Sequence, residues 1–208
     1  MRHLYKRKSF LCYTITMSVR KNNKILAFVG LPGAGKSEAV DYVCTKNVPK
    51  VYGGGLIVEG VKKLGLEVNP ENEKKYREEM RHEHGPDIFV RLAAEQMHNI
   101  IDSGQHRIVF DGLYMWTEYN YLKHEFPGEL ITIAVVAPKR LRHHRLTHRP
   151  IRPLTNEEAE LRDWAEIENL EKGGPIAIAD YYIHNDGSLD KLHAQIDTIL
   201  DETKFTQR

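Results

Sequence analysis

The stretch "ILAFVGLPGAGKSEAVDYV", Ile25 to Val43, decides the fold. Ile25-Leu26-Ala27-Phe28-Val29 is a short apolar run of the kind that forms a strand buried on both faces. Glu38 to Val43 begins a helix. Between them, Gly30-x4-Gly35-Lys36-Ser37 fits the G-x-x-x-x-G-K-[ST] spacing of a Walker A phosphate loop, in the strand–loop–helix context that the pattern requires. The residue types follow from holding a polyphosphate. Gly30, Gly33 and Gly35 let the backbone turn tightly and aim its N–H groups inward, and Ala34 and Glu38 belong to the same binding segment. The helix starting near Lys36 adds the positive end of its dipole. Lys36 is expected to reach the β- and γ-phosphates and the Ser37 hydroxyl to ligate Mg²⁺, which makes ATP and Mg²⁺ the expected cofactors.

Working outward, strands alternate with helices throughout, the pattern of a parallel α/β sheet. Pro49 to Tyr52 reads as a second strand ending in Gly53-Gly54-Gly55. A helix follows Asn69-Pro70-Glu71, with Asn69 as N-cap, proline at the first helical position and acids in the first turn. Another starts near Pro86 and stops at Gly104. Arg107 to Asp111 is the third strand and Leu130 to Val136 the fourth. A basic helix from about Pro138 to His148 and an acidic one from about Asn156 to Glu171 come next. Tyr181 to His184 is the last strand, followed by a helix with Leu189, Leu192, Ile196, Ile199 and Leu200 as its buried stripe. The expected architecture is a three-layer P-loop NTPase fold with a five-stranded parallel sheet, a helical acceptor-side insertion (about 55–103) and a short lid (about 139–162).

The bulk properties narrow the function. The chain has 208 residues, 41% hydrophobic and 28% charged, enough for one ordinary domain over residues 21–208. A net charge of +1 gives no reason to expect general nucleic-acid or membrane-surface binding. No apolar run approaches the roughly 18 residues of a membrane span. Cys12 and Cys44 have neither C-x-x-C nor metal spacing and read as free thiols of a cytoplasmic protein. Residues 1–20 read as an extension, with Met17 an alternative start, and nothing about function is drawn from them. The oligomeric state is left open.

Two further segments supply chemistry. Asp111 ends a buried strand in "IVFDG", where a carboxylate directed at Mg²⁺ is required. In "PKRLRHHRLTHRPIRP", Lys139, Arg140, Arg142, Arg145, Arg149 and Arg152 fall within 14 residues without one acid. Arg142, Arg145 and Arg149 share a helix face, and Arg145 and Arg149 are the arginines expected to stabilise a transferring phosphoryl group. Arg162, inside the acidic stretch, is expected to return to the site, while the acids around it read as a solvated face. His144 and His148 are four apart, but no carboxylate accompanies them and arginines crowd them, which disfavours zinc.

Together these pieces resemble the nucleotide-kinase branch of P-loop proteins. The tail "IADYYIHNDGSLDKLHAQI" is similar to the end of dephospho-coenzyme A kinases, which implies Asn185, Asp186 and Gly187 near the adenine of ATP. The middle, "KKLGLEVNPENEKKYREEMRHEHGPDIFVRLAAE", resembles archaeal adenylate-kinase-related proteins, which implies Arg81 and Arg91 as acceptor-binding residues. The chain also departs from these families. Gly55 and Val58 replace an acid and an arginine after the second strand, and Tyr114 stands where an arginine follows the third. No Asp follows the second strand as a base. Tyr114 and Trp116 are then available to stack on an acceptor base, although core packing is the commoner fate of such aromatics. The expected function is transfer of the γ-phosphoryl of ATP·Mg to a small nucleotide-like acceptor, dephospho-coenzyme A or a nucleoside monophosphate. The alternative is a regulatory ATPase or nucleotide-dependent switch without a small-molecule acceptor.

Overall fold

A computed structural model describes residues 23–206; the N-terminal extension, Cys12 and Met17 lie outside the described residues. β1 (Lys24–Val29) leads through the glycine-rich loop into α1 (Lys36–Cys44). β2 (Lys50–Tyr52) runs directly into α2 (Gly53–Lys63), followed by α3 (Pro70–His84) and α4 (Ile88–Asp102). Then come β3 (Arg107–Asp111), α5 (Trp116–Glu125) and β4 (Leu130–Val136). The chain continues through α6 (Lys139–His148), α7 (Asn156–Glu168) and α8 (Gly173–Ala177) to β5 (Tyr181–His184) and α9 (Leu189–Glu202). The strand order is β2-β3-β1-β4-β5 and every pairing is parallel, which bears out the expected α/β architecture.

The two-residue period of a strand explains the layering. Ile25 and Ala27 of β1, with Ile108 and Phe110 of β3, face a core built with Val90, Ala93 and Met97 of α4 and Leu122 of α5. Leu26 and Phe28, with Val109 and Val135, face the opposite way, against Val40 and Val43 of α1 and Ile196 and Leu200 of α9. Both faces of the central strands are covered, so the strands read as unbroken apolar runs.

Several local expectations meet the structure. Asn69 caps α3, its side chain accepting from the Asn72 N–H at 2.9 Å. Gly53, Gly54 and Gly55 form the first turn of α2 and not a loop. A side chain at Gly53 would press on the Gly112 Cα, and one at Gly54 on the Tyr52 ring, so the chain folds back there only without side chains. Leu189 is 56% exposed and drops out of the α9 stripe, because it is the first residue of the helix and the sheet lies beneath later turns. The sequence pattern did not show α5 or α8. The first is short and only weakly amphipathic, and the second opens with two glycines.

The segment after α9 is tied to the amino ends of the central strands β1 and β3. Phe205 is fully buried, and its carbonyl accepts from Arg107 Nε at 2.7 Å. Lys24 donates to the Thr203 carbonyl. Phe205→Ala is therefore expected to lower stability by about 3–5 kcal/mol, the cost of emptying a buried aromatic site. Urea unfolding checks this as a fall in midpoint at unchanged slope.

Candidate active site

The carboxyl ends of the parallel strands open into a cleft of about 700 Å³. Gly30, Gly33, Gly35, Lys36 and Ser37 from the loop line it, with Asp111 and Tyr114 from the end of β3 and Arg145, Arg149 and Arg162 from the lid segment. Ten of the sequence-predicted residues thus meet in one place. The fold brings in five more polar side chains: Asp41, Lys50, Tyr52, Glu166 and Lys172. Six cations and three carboxylates line this cleft, whereas the whole chain is nearly neutral. The excess charge makes it a site for anions.

The loop owes its shape to its neighbours. Gly33 has φ +78° and Gly35 φ +96°, both in the left-handed region that L side chains rarely adopt. A Cβ on Gly33 would lie 2.5 Å from the Arg142 carbonyl oxygen, and one on Gly35 would strike the Asn185 amide. No side chain caps the first turn of α1, so its N–H groups stay free for phosphate oxygens. Lys36 and Asp111 form an ion pair across the cleft, so a nucleotide and its metal would compete for both. One hydroxyl and one buried strand-end carboxylate suit a hard, oxygen-seeking Mg²⁺ that takes its remaining ligands from phosphates and water. Among the described residues no group of three His, Cys, Asp or Glu could hold a metal by itself.

The lid arginines divide into two kinds. Arg145 donates from Nη2 to the Asn185 carbonyl at 3.0 Å and from Nη1 to the Gly33 carbonyl at 3.4 Å, placing its guanidinium beside the loop. Arg149 stands at the end of α6, its Nε donating to the Arg152 carbonyl at 2.6 Å. Arg142 instead is structural. It is buried, donates to the Pro32 carbonyl at 3.0 Å and makes a bidentate pair with Asp163, both bonds 2.7 Å. His143 Nε2 lies 3.0 Å from the same carboxylate.

This corrects in part the reading of the acidic stretch as a solvated face: Glu157, Glu158, Glu168 and Glu171 are exposed, but two acids are not. Asp163 and Glu166 are buried: Asp163 fastens α6 to α7, and Glu166 pairs with Lys172 and, at 3.7 Å, with Arg162. Burial alone would raise the Asp163 carboxyl, but hydrogen bonds from Arg142 and His143, with their charges, outweigh it and hold the group below the usual range. The Tyr114 phenol is pushed well above the usual range by burial and by the nearby Asp111, so it stays neutral.

Other predicted residues lie off the cleft. Ala34 and Asn185 are buried behind the loop, the Asn185 side chain donating to the Ala34 carbonyl at 2.8 Å and so bracing the backbone. Glu38 faces His193 of α9, and Gly187 sits in the turn before α9 beside Lys191. Neither Arg81 nor Arg91 lines the cleft. Arg81 packs on Phe89 and points Nη2 at the Met115 sulfur, while Arg91 pairs with Asp87 and the His84 carbonyl. Trp116 stacks on Tyr119 against the core.

No protein-family model matches the chain. A UPF0200 protein of Thermococcus kodakarensis is 35% identical over 181 residues, 86% of this chain and 97% of that protein. One from Thermococcus gammatolerans is 33% identical over 86% of this chain and 94% of its own length. Among solved structures, TT1252 from Thermus thermophilus superimposes with a TM-score of 0.60 at 20% identity, covering 88% of this chain and 98% of that one. A shikimate kinase from Bacteroides thetaiotaomicron gives a TM-score of 0.55 at 14% identity, over 87% and 98%. A gluconokinase from Sinorhizobium meliloti gives 0.51 at 14%, over 90% and 98%. The likeness to these structures shows a shared P-loop kinase fold.

The Asp163 cluster yields a test. Its depressed carboxyl contributes stability that is present above the ordinary value of 3.8 and is lost as pH falls through the folded value. Asp163→Asn is expected to cost about 3 kcal/mol at pH 7. The stability gap to the wild type should narrow below about pH 4, which urea unfolding at a series of pH values reads directly.

Proposed function

We propose that this chain, which belongs to the UPF0200 family, is a small-molecule kinase. It would move the γ-phosphoryl of ATP·Mg to a small nucleotide-like acceptor, dephospho-coenzyme A or a nucleoside monophosphate. One observation carries the reading: the glycine-rich loop, Lys36, Ser37, Asp111, Arg145 and Arg149 converge on one cation-rich cleft. Neighbours that share the fold are named as kinases, which supports the same direction.

In this reading the loop amides and Lys36 hold the triphosphate. Ser37 and Asp111 would hold Mg²⁺, which when bound neutralises phosphate charge. The acceptor oxygen bonds to the γ-phosphorus as the bond to the bridging oxygen breaks, and ADP leaves with that electron pair; a hydroxyl acceptor releases its proton to water, and a phosphate acceptor attacks as the anion. Arg145 and Arg149 face the charge that develops on the transferring group, where preorganised donors act most strongly. On this reading α2 to α4 form the acceptor side, and α6 and α7 the lid, of a single domain. ATP supply accords with a cytoplasmic setting; no helix among the described residues is long and apolar enough to cross a membrane.

The position of Arg81 and Arg91 outside the cleft favours a second reading, an ATPase or switch that needs no acceptor. ADP formation from ATP·Mg separates the two when measured across nucleoside monophosphates, deoxynucleotides and dephospho-coenzyme A. On the kinase reading one acceptor raises turnover by orders of magnitude and its phosphorylated product accumulates. Slow hydrolysis indifferent to every acceptor would establish the ATPase instead. Lys36→Ala abolishes turnover in either case. Arg145→Ala and Arg149→Ala are expected to lower kcat about 100-fold or more while leaving nucleotide affinity less affected.

A further inference from the structure

The cleft divides along the sheet. Its donor half lies beyond β1, where the loop, Lys36 and Arg145 converge. Its other half lies beyond β2 and β3, whose last residues, Tyr52 and Asp111, reach it together with Tyr114. On that second side stands a group to which phosphoryl transfer from ATP assigns no role. Lys172, in the turn between α7 and α8, borders the cleft although it is only 3% exposed.

Its ammonium lies 4.8 Å from the centre of the Tyr114 ring, and that of Lys36 lies 5.7 Å from the same centre. A buried ammonium is costly unless an anion accompanies it. Among the described residues Glu166 is the one carboxylate paired with it, and Glu166 also serves Arg162. Burial pulls the Lys172 ammonium below the usual lysine range; Glu166 opposes this, and Lys36 and Arg162 add to it. The residue before it, Glu171, sits at φ +49°, a left-handed conformation that a non-glycine residue adopts only where its surroundings impose it. The backbone is thus bent out of its ordinary range next to a desolvated cation at the wall of the cleft. Asp111 is already held by Lys36, so Lys172 and the half-exposed Arg162 share a single carboxylate, and the cations on this wall outnumber their carboxylate partners by one.

We infer that Lys172 binds an anionic group of the acceptor, a phosphate or a carboxylate seated against the Tyr114 ring, and that Glu166 is the positioning carboxylate that holds the ammonium there. The inference rests on the kinase reading and narrows it to acceptors that bring their own negative charge to the β2–β3 end of the cleft. The triphosphate has its own partners in the loop amides, Lys36, Arg145 and Arg149. Lys172 therefore acts on acceptor binding and not on donor binding.

Calorimetric titration of the full chain tests this, first with the non-hydrolysable donor Mg·AMP-PNP. The donor-loaded protein is then titrated with AMP and dephospho-coenzyme A as phosphates, shikimate as a carboxylate and adenosine as a neutral control. The wild type is expected to bind at least one anionic probe more than about tenfold more tightly than adenosine, the scale of one charge-assisted hydrogen bond. Lys172→Met should lose that preference, Lys172→Arg should retain most of it, and Glu166→Gln should tighten the anionic probe several-fold. Mg·AMP-PNP affinity should change less than about twofold in each. Whether the phosphates or shikimate show the effect identifies the anion. Unchanged binding of the anionic probe to Lys172→Met overturns the inference. So does an equal loss of Mg·AMP-PNP affinity, or a wild type that binds no anionic probe better than adenosine. A wild-type chain that does not bind Mg·AMP-PNP overturns the kinase reading itself, a result distinguishable from the other three.

Discussion

The arrangement of the site depends on one close approach, the phosphate loop lying directly against the backbone of α6. At Gly33 there is no room for a Cβ, because the Arg142 carbonyl oxygen would be 2.5 Å away. That contact sets how near the basic helix stands to the loop. Arg142 fastens it by donating to the Pro32 carbonyl, and Arg145 by bridging the Gly33 and Asn185 carbonyls. On the other side, Asn185 at the end of β5 supports the Ala34 carbonyl. Two separated pieces of chain, α6 and the end of β5, therefore hold one loop in shape. Preorganising the loop in this way removes the ordering cost that a flexible phosphate cradle would incur on binding.

Helix α7 then works as a plate carrying charge on two levels. Asp163 neutralises the buried Arg142 and lies within hydrogen-bond distance of His143, fixing the plate to α6. Three residues on, Glu166 is on the same side and holds Lys172 and Arg162 toward the cleft. Neither carboxylate is a surface group. Each balances a buried cation, Arg142 or Lys172, and such pairs lose more when one partner is removed than they contribute as a whole. The local excess of positive charge favours entry of polyphosphates although the protein as a whole is close to neutral.

The fold is shared with structures named as a shikimate kinase and a gluconokinase, at sequence identities of 14%. A common frame with different named activities is what results when the donor apparatus is tied to the central strand and the acceptor side is built from separate elements. In this chain the loop follows β1, the middle strand of the five, whereas on the proposed reading the acceptor wall rises from the edge strand β2 and from β3 beside it. That wall carries Tyr52 from the edge strand, Tyr114 from the segment after β3, and Lys172, a cation supplied from elsewhere in the chain.

Local patterns were legible because they depend on neighbours in sequence. The strand–loop–helix of Ile25 to Val43, the Asn69 cap and Asp111 at a strand end each follow from short-range geometry, and the alternation of elements determines a parallel sheet. The grouping of Arg145, Arg149 and Arg162 with the loop was legible as well, since a basic helix after the fourth strand has few other places to go. Pairings across the chain were not. Nothing local separates the buried Asp163 and Glu166 from their exposed neighbours, and Lys172 in "EKGGP" looks like any surface lysine. Arg81 and Arg91 look like acceptor ligands until α3 and α4 turn them toward Met115 and His84. The sequence by itself determined the fold and the phosphate-binding half of the site, because those rest on backbone conformation and strand period. Only the tertiary structure decided which charges are buried together, because the cost of a charge depends on what surrounds it in space and not on its neighbours along the chain.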